Sequence, residues 1–288
     1  MNRVTLALDT PAAHVVRAAH GAGFDAVEMS ARRLAEALTD PTARELVEQR
    51  QIKPVHGGWS IRLAWERENF EKALSMVGRE MEFAAQHGSR SGALVFPRSS
   101  GTGSSHPVGG DELVDRIGRV ADLAARSRLD VVVEFNGLTP SAPGDDCRTL
   151  PQAIAAMSAV ARRNAGILID SYHWHASGGV PSDVDQVPDG MPLFVHINDA
   201  PALDRSLLTD SMRLLPGQGG IDLTGLLRAL HRRAYEGPVS VELKNADLHG
   251  RDPREAARLA GDSLRATLRR AELSADASTA AGTQRRDR

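Results

Sequence analysis

Gly166-Ile167-Leu168-Ile169-Asp170-Ser171-Tyr172-His173 reads as a short apolar strand that stops abruptly at an acid, with a histidine three residues on. An unbroken apolar run of this length has no polar face. It predicts a parallel strand buried on both sides that delivers polar groups at its C-terminal end. The same construction recurs in Val131-Val132-Val133-Glu134, Leu193-Phe194-Val195-His196 and Val239-Ser240-Val241-Glu242. Two glutamates, one aspartate and one histidine therefore stand at the ends of four different strands.

Outward from this stretch, apolar runs alternate with amphipathic segments along the whole chain. Strands are predicted over 4–8, 25–29, 52–56, 92–96, 131–135, 166–170, 193–197 and 239–243, and helices over 12–22, 32–50, 66–87, 111–127, 150–164, 223–234 and 253–270. After Asp170 the pattern weakens to one short helix near 182–187. Strand then helix, repeated, implies parallel crossovers, and eight such units close most naturally into a single (β/α)8 TIM barrel of the α/β class. An open doubly wound sheet is the alternative, but no Gly-rich nucleotide turn follows the first strand. The barrel is expected to occupy residues 1–272. Residues 273–288, small and charged without periodicity, are expected to form a disordered tail.

The composition belongs to a water-soluble globular protein: 41% hydrophobic and 25% charged residues, with a formal net charge of −2 over 288 residues. Near-neutrality argues against a broad nucleic-acid or membrane surface. Cys147 is the only cysteine, which excludes an intramolecular disulfide and a thiolate metal cluster. The first residues carry no basic and apolar leader, and no apolar stretch reaches membrane-spanning length, so a cytoplasmic location is expected.

At the C-terminal mouth of a barrel, Glu134, Asp170, His196 and Glu242 would converge. Unpaired carboxylates pushed together in a closed site repel and lose solvation, and a divalent cation resolves the conflict. Three carboxylates and one imidazole form a hard, oxygen-rich set. It suits one divalent ion, Mn2+ first, with Mg2+, Co2+, Zn2+ or Fe2+ as alternatives. For each residue taken alone, strand capping or an arginine pair is the plain alternative.

With these motifs in this order, the chain resembles the xylose isomerase-like TIM-barrel superfamily of sugar (phosphate) isomerases and epimerases, which also holds inosose dehydratases and endonuclease IV. The resemblance spans 4–270. It rests on Gly23-Phe24-Asp25-Ala26-Val27-Glu28, Glu134, Asp170-Ser171-Tyr172-His173, His196-Ile197-Asn198-Asp199, Gly217-Gln218-Gly219-Gly220-Ile221-Asp222 and Glu242. It implies metal ligation by Glu134, Asp170, His196 and Glu242, catalytic acid and base roles for Glu134 and Glu242, and a substrate-facing His173.

The chain also departs from the pattern. Ketohexose epimerases of this kind carry a second glutamate soon after the position of Glu134 and an arginine soon after the His-x-x-Asp stretch. Here Asn136-Gly137-Leu138-Thr139-Pro140 and Ala200-Pro201-Ala202-Leu203-Asp204-Arg205 stand instead. Dehydratases often place a lysine where Asn198 lies, whereas this chain has Lys244, two residues after Glu242 and on the same strand face. Asn198 is read as a substrate contact, and Lys244 has two readings, substrate contact or salt bridge at the barrel rim. Phe96-Pro97 replaces a histidine that the three-metal site of endonuclease IV needs.

His56 and Trp59 follow the third strand and are expected to wall the pocket, with a buried structural histidine as the alternative for His56. Glu28 is read as a partner of a substrate hydroxyl or of an arginine. The loop 217–222 is read as structural, with Asp222 capping the next helix.

Together these readings predict a metal-dependent sugar or polyol isomerase or epimerase that moves a proton through an enediolate. A dehydratase or lyase on the same barrel, resembling inosose dehydratase or cleaving a C-glycoside, is the alternative. A non-catalytic sugar-binding barrel is the third reading. The expected partner is a small sugar, polyol or keto-sugar, with no nucleic acid and no membrane, and a homo-oligomer is compatible with the sequence.

Overall fold

The structure is a computed structural model that describes residues 1–97, 110–138 and 147–283, without the side chains of His56 and of residues 272–283. Among the described residues, seven strands form one parallel sheet in chain order: β1 (Ala26–Glu28), β2 (Lys53–Gly58), β3 (Ser91–Val95), β4 (Asp130–Glu134), β5 (Ala165–Asp170), β6 (Leu193–Ile197) and β7 (Val239–Val241). The gap between β7 and β1 is filled by the first two residues. Asn2 N–H donates to Val241 O at 2.9 Å, and Glu28 N–H donates to Met1 O at 2.8 Å. The sheet therefore closes on itself as a TIM barrel.

This closure corrects one sequence expectation. The apolar run 4–8 does not form the first strand, because the Asn2 side chain accepts from Val4 N–H and folds Arg3–Thr5 into a 3-10 turn. Leu8 is left 63% exposed. Backbone pairing thus falls to Met1 and Asn2, and the Thr5 hydroxyl secures the turn by donating to Val241 O at 2.8 Å.

The helices are α1 (Ala12–Gly21), α2 (Ala31–Ala37), α3 (Pro41–Glu48), α4 (Arg67–Gln86), α5 (Gly110–Ala125), α6 (Leu150–Val160), α7 (Ser171–Ala176), α8 (Pro181–Asp185), α9 (Leu223–Arg232), α10 (Ala246–His249) and α11 (Pro253–Thr283). The single helix expected over 32–50 is split. Asp40 caps α3 through Ala43 N–H, and Pro41 at the first turn disfavours helical backbone at the residue before it. α11 runs past the start of the expected tail at residue 273. No helix among the described residues is long and apolar enough to cross a membrane.

Two apolar layers explain the unbroken strand sequences. Val131, Val133, Ile167, Ile169, Val195 and Ile197 belong to the large core that the helices share, while Val132, Leu168 and Phe194 form a separate small cluster inside the barrel with Val55 and Ala93. Alternate residues of a strand share a face. Glu134, Asp170 and His196, each two residues beyond Val132, Leu168 and Phe194, are therefore the next layer of the same interior, resting on an apolar floor.

Candidate metal centre

Strand register sets the ligand layer. Asp170 of β5 pairs with His196 of β6, and Glu242 follows Val241, which pairs with Ile197. One ligand atom from each of Glu134, Asp170, His196 and Glu242 lies within 4.8 Å of all the others. An ion bonded at about 2.0–2.5 Å joins ligands up to about 4–5 Å apart, so this donor set fits one divalent cation.

Three of the four groups are oriented by residues behind them. Glu28 faces Nε2 of His196 at 3.0 Å, and is itself held by the Ser240 hydroxyl at 2.8 Å and by Asn2 Nδ2 at 2.7 Å. A carboxylate accepts only, so Nε2 donates to Glu28 and Nδ1 is the nitrogen turned toward the other carboxylates. Nδ1 lies 3.4 Å from Glu242 and 3.9 Å from Asp170. Asp170, fully buried, accepts from Tyr172 N–H at 2.7 Å, so it also caps α7. Asn198 Nδ2 donates to both Asp170 oxygens at 3.2 and 3.3 Å and to Glu242 O at 3.2 Å.

Arg213, which sequence reading did not single out, is also fully buried here. Its Nη1 donates to Asp170 at 2.5 Å and to Glu242 at 2.8 Å, and its Nη2 donates to Asp210 at 2.7 Å and meets His173 Nε2 at 3.3 Å. An arginine beyond the His196–Asp199 stretch, Arg213, therefore does reach the site, although Ala200–Arg205 supplies none. It is brought back by the Asp199 carboxylate, which accepts from Gly217, Gly219 and Ile221 N–H groups. Gly219 is required at this knot, since a Cβ there would lie 2.1 Å from Ala200 O.

The charges do not balance. The Glu134 carboxylate makes no hydrogen bond among the described residues, and the nearest basic side chain, His173 through Nε2, is 3.8 Å away. Burial, then Glu242 and Asp170, push the Glu134 carboxyl up to about 8. Burial acts against charge on His196 and Glu242 too, but there the opposite charges win. Glu28 and Glu242 hold His196 well above its ordinary value, and His196 with Arg213 hold Glu242 well below. Burial, assisted by Arg213, lowers His173 to about 4, so it is neutral at neutral pH.

The other residues singled out from sequence divide into two groups. A cavity of about 1130 Å3 opens onto Glu134, His196 and Glu242 and is walled by Trp59, Glu28 and Phe96. Trp59 lies flat against β3, where a Cβ on Gly92 would come 1.8 Å from its indole. Asn198 is fully buried, with its polar atoms bonded to Asp170, Ser171 and Glu242. Lys244 pairs with Asp210 at the rim at 2.5 Å. The His56 side chain and residues 139–146 lie outside the described residues. Asp222 caps α9 through Gly225 N–H, as expected.

The chain is similar to several known proteins. The inosose isomerase of Bacillus subtilis strain 168 is 36% identical over 131 residues, 45% of this chain and 45% of that protein. The 3-dehydroshikimate dehydratase of Pseudomonas aeruginosa is 33% identical over 135 residues, 46% of this chain and 20% of that protein. These matches span about half the length of the inosose isomerase and less of the dehydratase. A crystal structure of IolI protein with a bound zinc atom superposes with a TM-score of 0.76 at 25% identity, covering 93% of this chain and 96% of that one. The sequence profile of the xylose isomerase-like TIM barrel matches residues 16–268, and the chain belongs to that family.

Proposed function

We propose that this protein is a divalent-metal-dependent isomerase or epimerase of a keto-sugar or keto-polyol. The observation that carries the reading is the convergence of Glu134, Asp170, His196 and Glu242 on one point at the inner end of a cavity large enough for a six-carbon substrate. A divalent ion, when bound there, supplies Lewis-acid polarisation of a carbonyl and its neighbouring oxygen. Mn2+ is our choice because three of the four donors are carboxylates.

The chain's own groups do the rest. A C–H next to a carbonyl must lose a proton to a carboxylate, and the proton must be returned to a carbon or an oxygen. Glu134 and Glu242 are the two carboxylates of the set that reach the cavity. Their surroundings differ: Glu242 is anchored by Arg213 and Asn2, while Glu134 has no such anchor among the described residues. Groups whose environments differ in this way suit the two ends of one proton transfer. We assign His173, beside Glu134, to hold a substrate oxygen, and Trp59 to pack against the substrate's C–H face. Glu28 and Asn198 are positioning residues that orient His196 and Asp170.

Elimination on the same barrel is the second reading, favoured by the match to 3-dehydroshikimate dehydratase. The same proton abstraction followed by loss of a β-hydroxyl gives a lyase. Metal analysis of the purified protein, followed by product mass on inososes, ketoses and cyclic keto acids, tests both. About one divalent ion per chain and an isobaric product are expected. A product lighter by water selects the lyase, and a metal-replete protein inert on all three classes overturns both readings.

A further inference from the structure

The cavity is electrically two-ended. Its floor carries Glu134, His196 and Glu242, whereas Arg3, Arg32, Arg33 and Arg62 line its outer part. Several arginines elsewhere on the surface are paired with acids, as in Arg119 with Glu71, Arg162 with Asp122 and Arg232 with Asp185. At the cavity, only Arg33 has a carboxylate partner among the described residues, Glu36 at 2.8 Å, and its other terminal nitrogen donates to Thr10 O at 2.6 Å. Arg3 donates to the carbonyl of Leu8. The Nε atoms of Arg3 and Arg33 are shut off from solvent and have no hydrogen-bond partner among the described residues. Burial, and then the positive fields of Arg33 and Arg32, hold the Arg3 guanidinium below its usual range, so these groups are near enough to repel.

Like charges gathered at a half-closed mouth cost free energy unless an anion offsets them. A guanidinium fork matches two oxygens of a carboxylate or phosphate, and three arginines that line one cavity without carboxylate partners among the described residues suit such a group. We propose that the substrate carries an anionic oxygen group, a carboxylate or a phosphate monoester, seated on Arg3, Arg32 and Arg62 while its carbonyl end lies at the carboxylate floor. This rests on the reading of the cavity as the active site, and it selects acidic keto compounds over neutral keto-polyols.

Isothermal titration calorimetry on the metal-loaded full chain tests it, with three probes: 3-dehydroshikimate for a carboxylate, fructose 6-phosphate for a phosphate ester, and a neutral inosose. The Arg32→Ala/Arg62→Ala double variant removes two exposed side chains, and its thermal midpoint verifies folding. At least one anionic probe is expected to bind the parent about 10-fold or more tighter than inosose, and to lose about 10-fold or more in the double variant while inosose changes less than about 2-fold. The probe that responds distinguishes carboxylate from phosphate. The proposal is overturned if inosose binds as tightly as both anions, if neither anion binds, or if the variant weakens neutral and anionic probes alike. Binding is read without turnover, so a failed isomerase or lyase assay leaves this result standing. Intact turnover of a neutral polyol with no arginine effect sinks this inference alone.

Discussion

Nη1 of Arg213 lies 2.5 Å from Oδ2 of Asp170, a buried ion pair between a guanidinium and one of the four groups suited to hold a metal. The same nitrogen reaches Glu242 at 2.8 Å, so Arg213 is the resident counter-charge of the ligand layer. Removing one partner of a buried pair leaves the other charge uncompensated, at a cost of about 3–5 kcal/mol. Metal-free Arg213→Ala is therefore expected to unfold at markedly lower urea than the parent, and to regain more stability than the parent does on adding Mn2+. Equal midpoints for the two metal-free proteins would show that Arg213 does not balance these carboxylates.

Metal uptake should expel protons. In the metal-free protein Glu134 is pushed up to about 8, by burial first, and the carboxylates of Glu28 and Glu242 overcome burial to hold His196 well above its ordinary value. Both groups are protonated at pH 7, and both must be deprotonated to ligate. Apparent affinity should thus rise as pH increases toward about 8, with release of about two protons per ion at pH 7. Calorimetry in two buffers of different ionisation heat counts them. Identical heats in both buffers would contradict the ligand assignment.

Glu28 tests the orienting role. Its carboxylate fixes the Nε2 proton of His196 and turns Nδ1 toward Asp170 and Glu242. Glu28→Gln should lower metal affinity about 10–100-fold without emptying the site at saturating metal. Ser240→Ala, which removes only the hydroxyl behind Glu28, should have a smaller effect. Unchanged affinity in Glu28→Gln would make Glu28 a pocket-wall residue instead.

Glutamine has nearly the shape of glutamate but cannot take and return a proton. Glu134→Gln and Glu242→Gln are each expected to lose turnover more than substrate affinity when metal-saturated. If one carboxylate alone abstracts the proton, the variant that retains it should still exchange a substrate C–H with solvent while forming no product. Parent-level turnover in both folded, metal-loaded variants would shift the base role to His173 or Lys244.

Much of this site was legible in the sequence because strand periodicity is strict. Once Val132, Leu168 and Phe194 are read as interior, the residues two further on must share their face, and these are Glu134, Asp170 and His196. Position 4–8 misled for a local reason: the apolar run is real, but the Asn2 cap turns it out of the sheet, and nothing in the run itself records that. α7 was missed because Asp170 was read as a metal ligand, a strand cap or an arginine partner, while its carboxylate also caps the following helix. Arg213 was missed because its position depends on a long irregular loop tied back by Asp199. The available signal was its place just before Leu214-Leu215-Pro216-Gly217, at the start of the Gly-rich knot that Asp199 holds.

The central claim is that the four-ligand cluster supports proton abstraction next to a carbonyl. NMR detection of deuterium incorporation from D2O into inosose, a ketose phosphate and 3-dehydroshikimate, with metal-loaded and chelator-stripped protein, tests that step before any product is known. Exchange at a carbon adjacent to the carbonyl is expected in at least one of them, lost on stripping and restored by Mn2+. Exchange that persists in the stripped protein, or in metal-loaded Asp170→Ala, would contradict the claim, as would binding of a compound by the metal-loaded parent with no exchange at all.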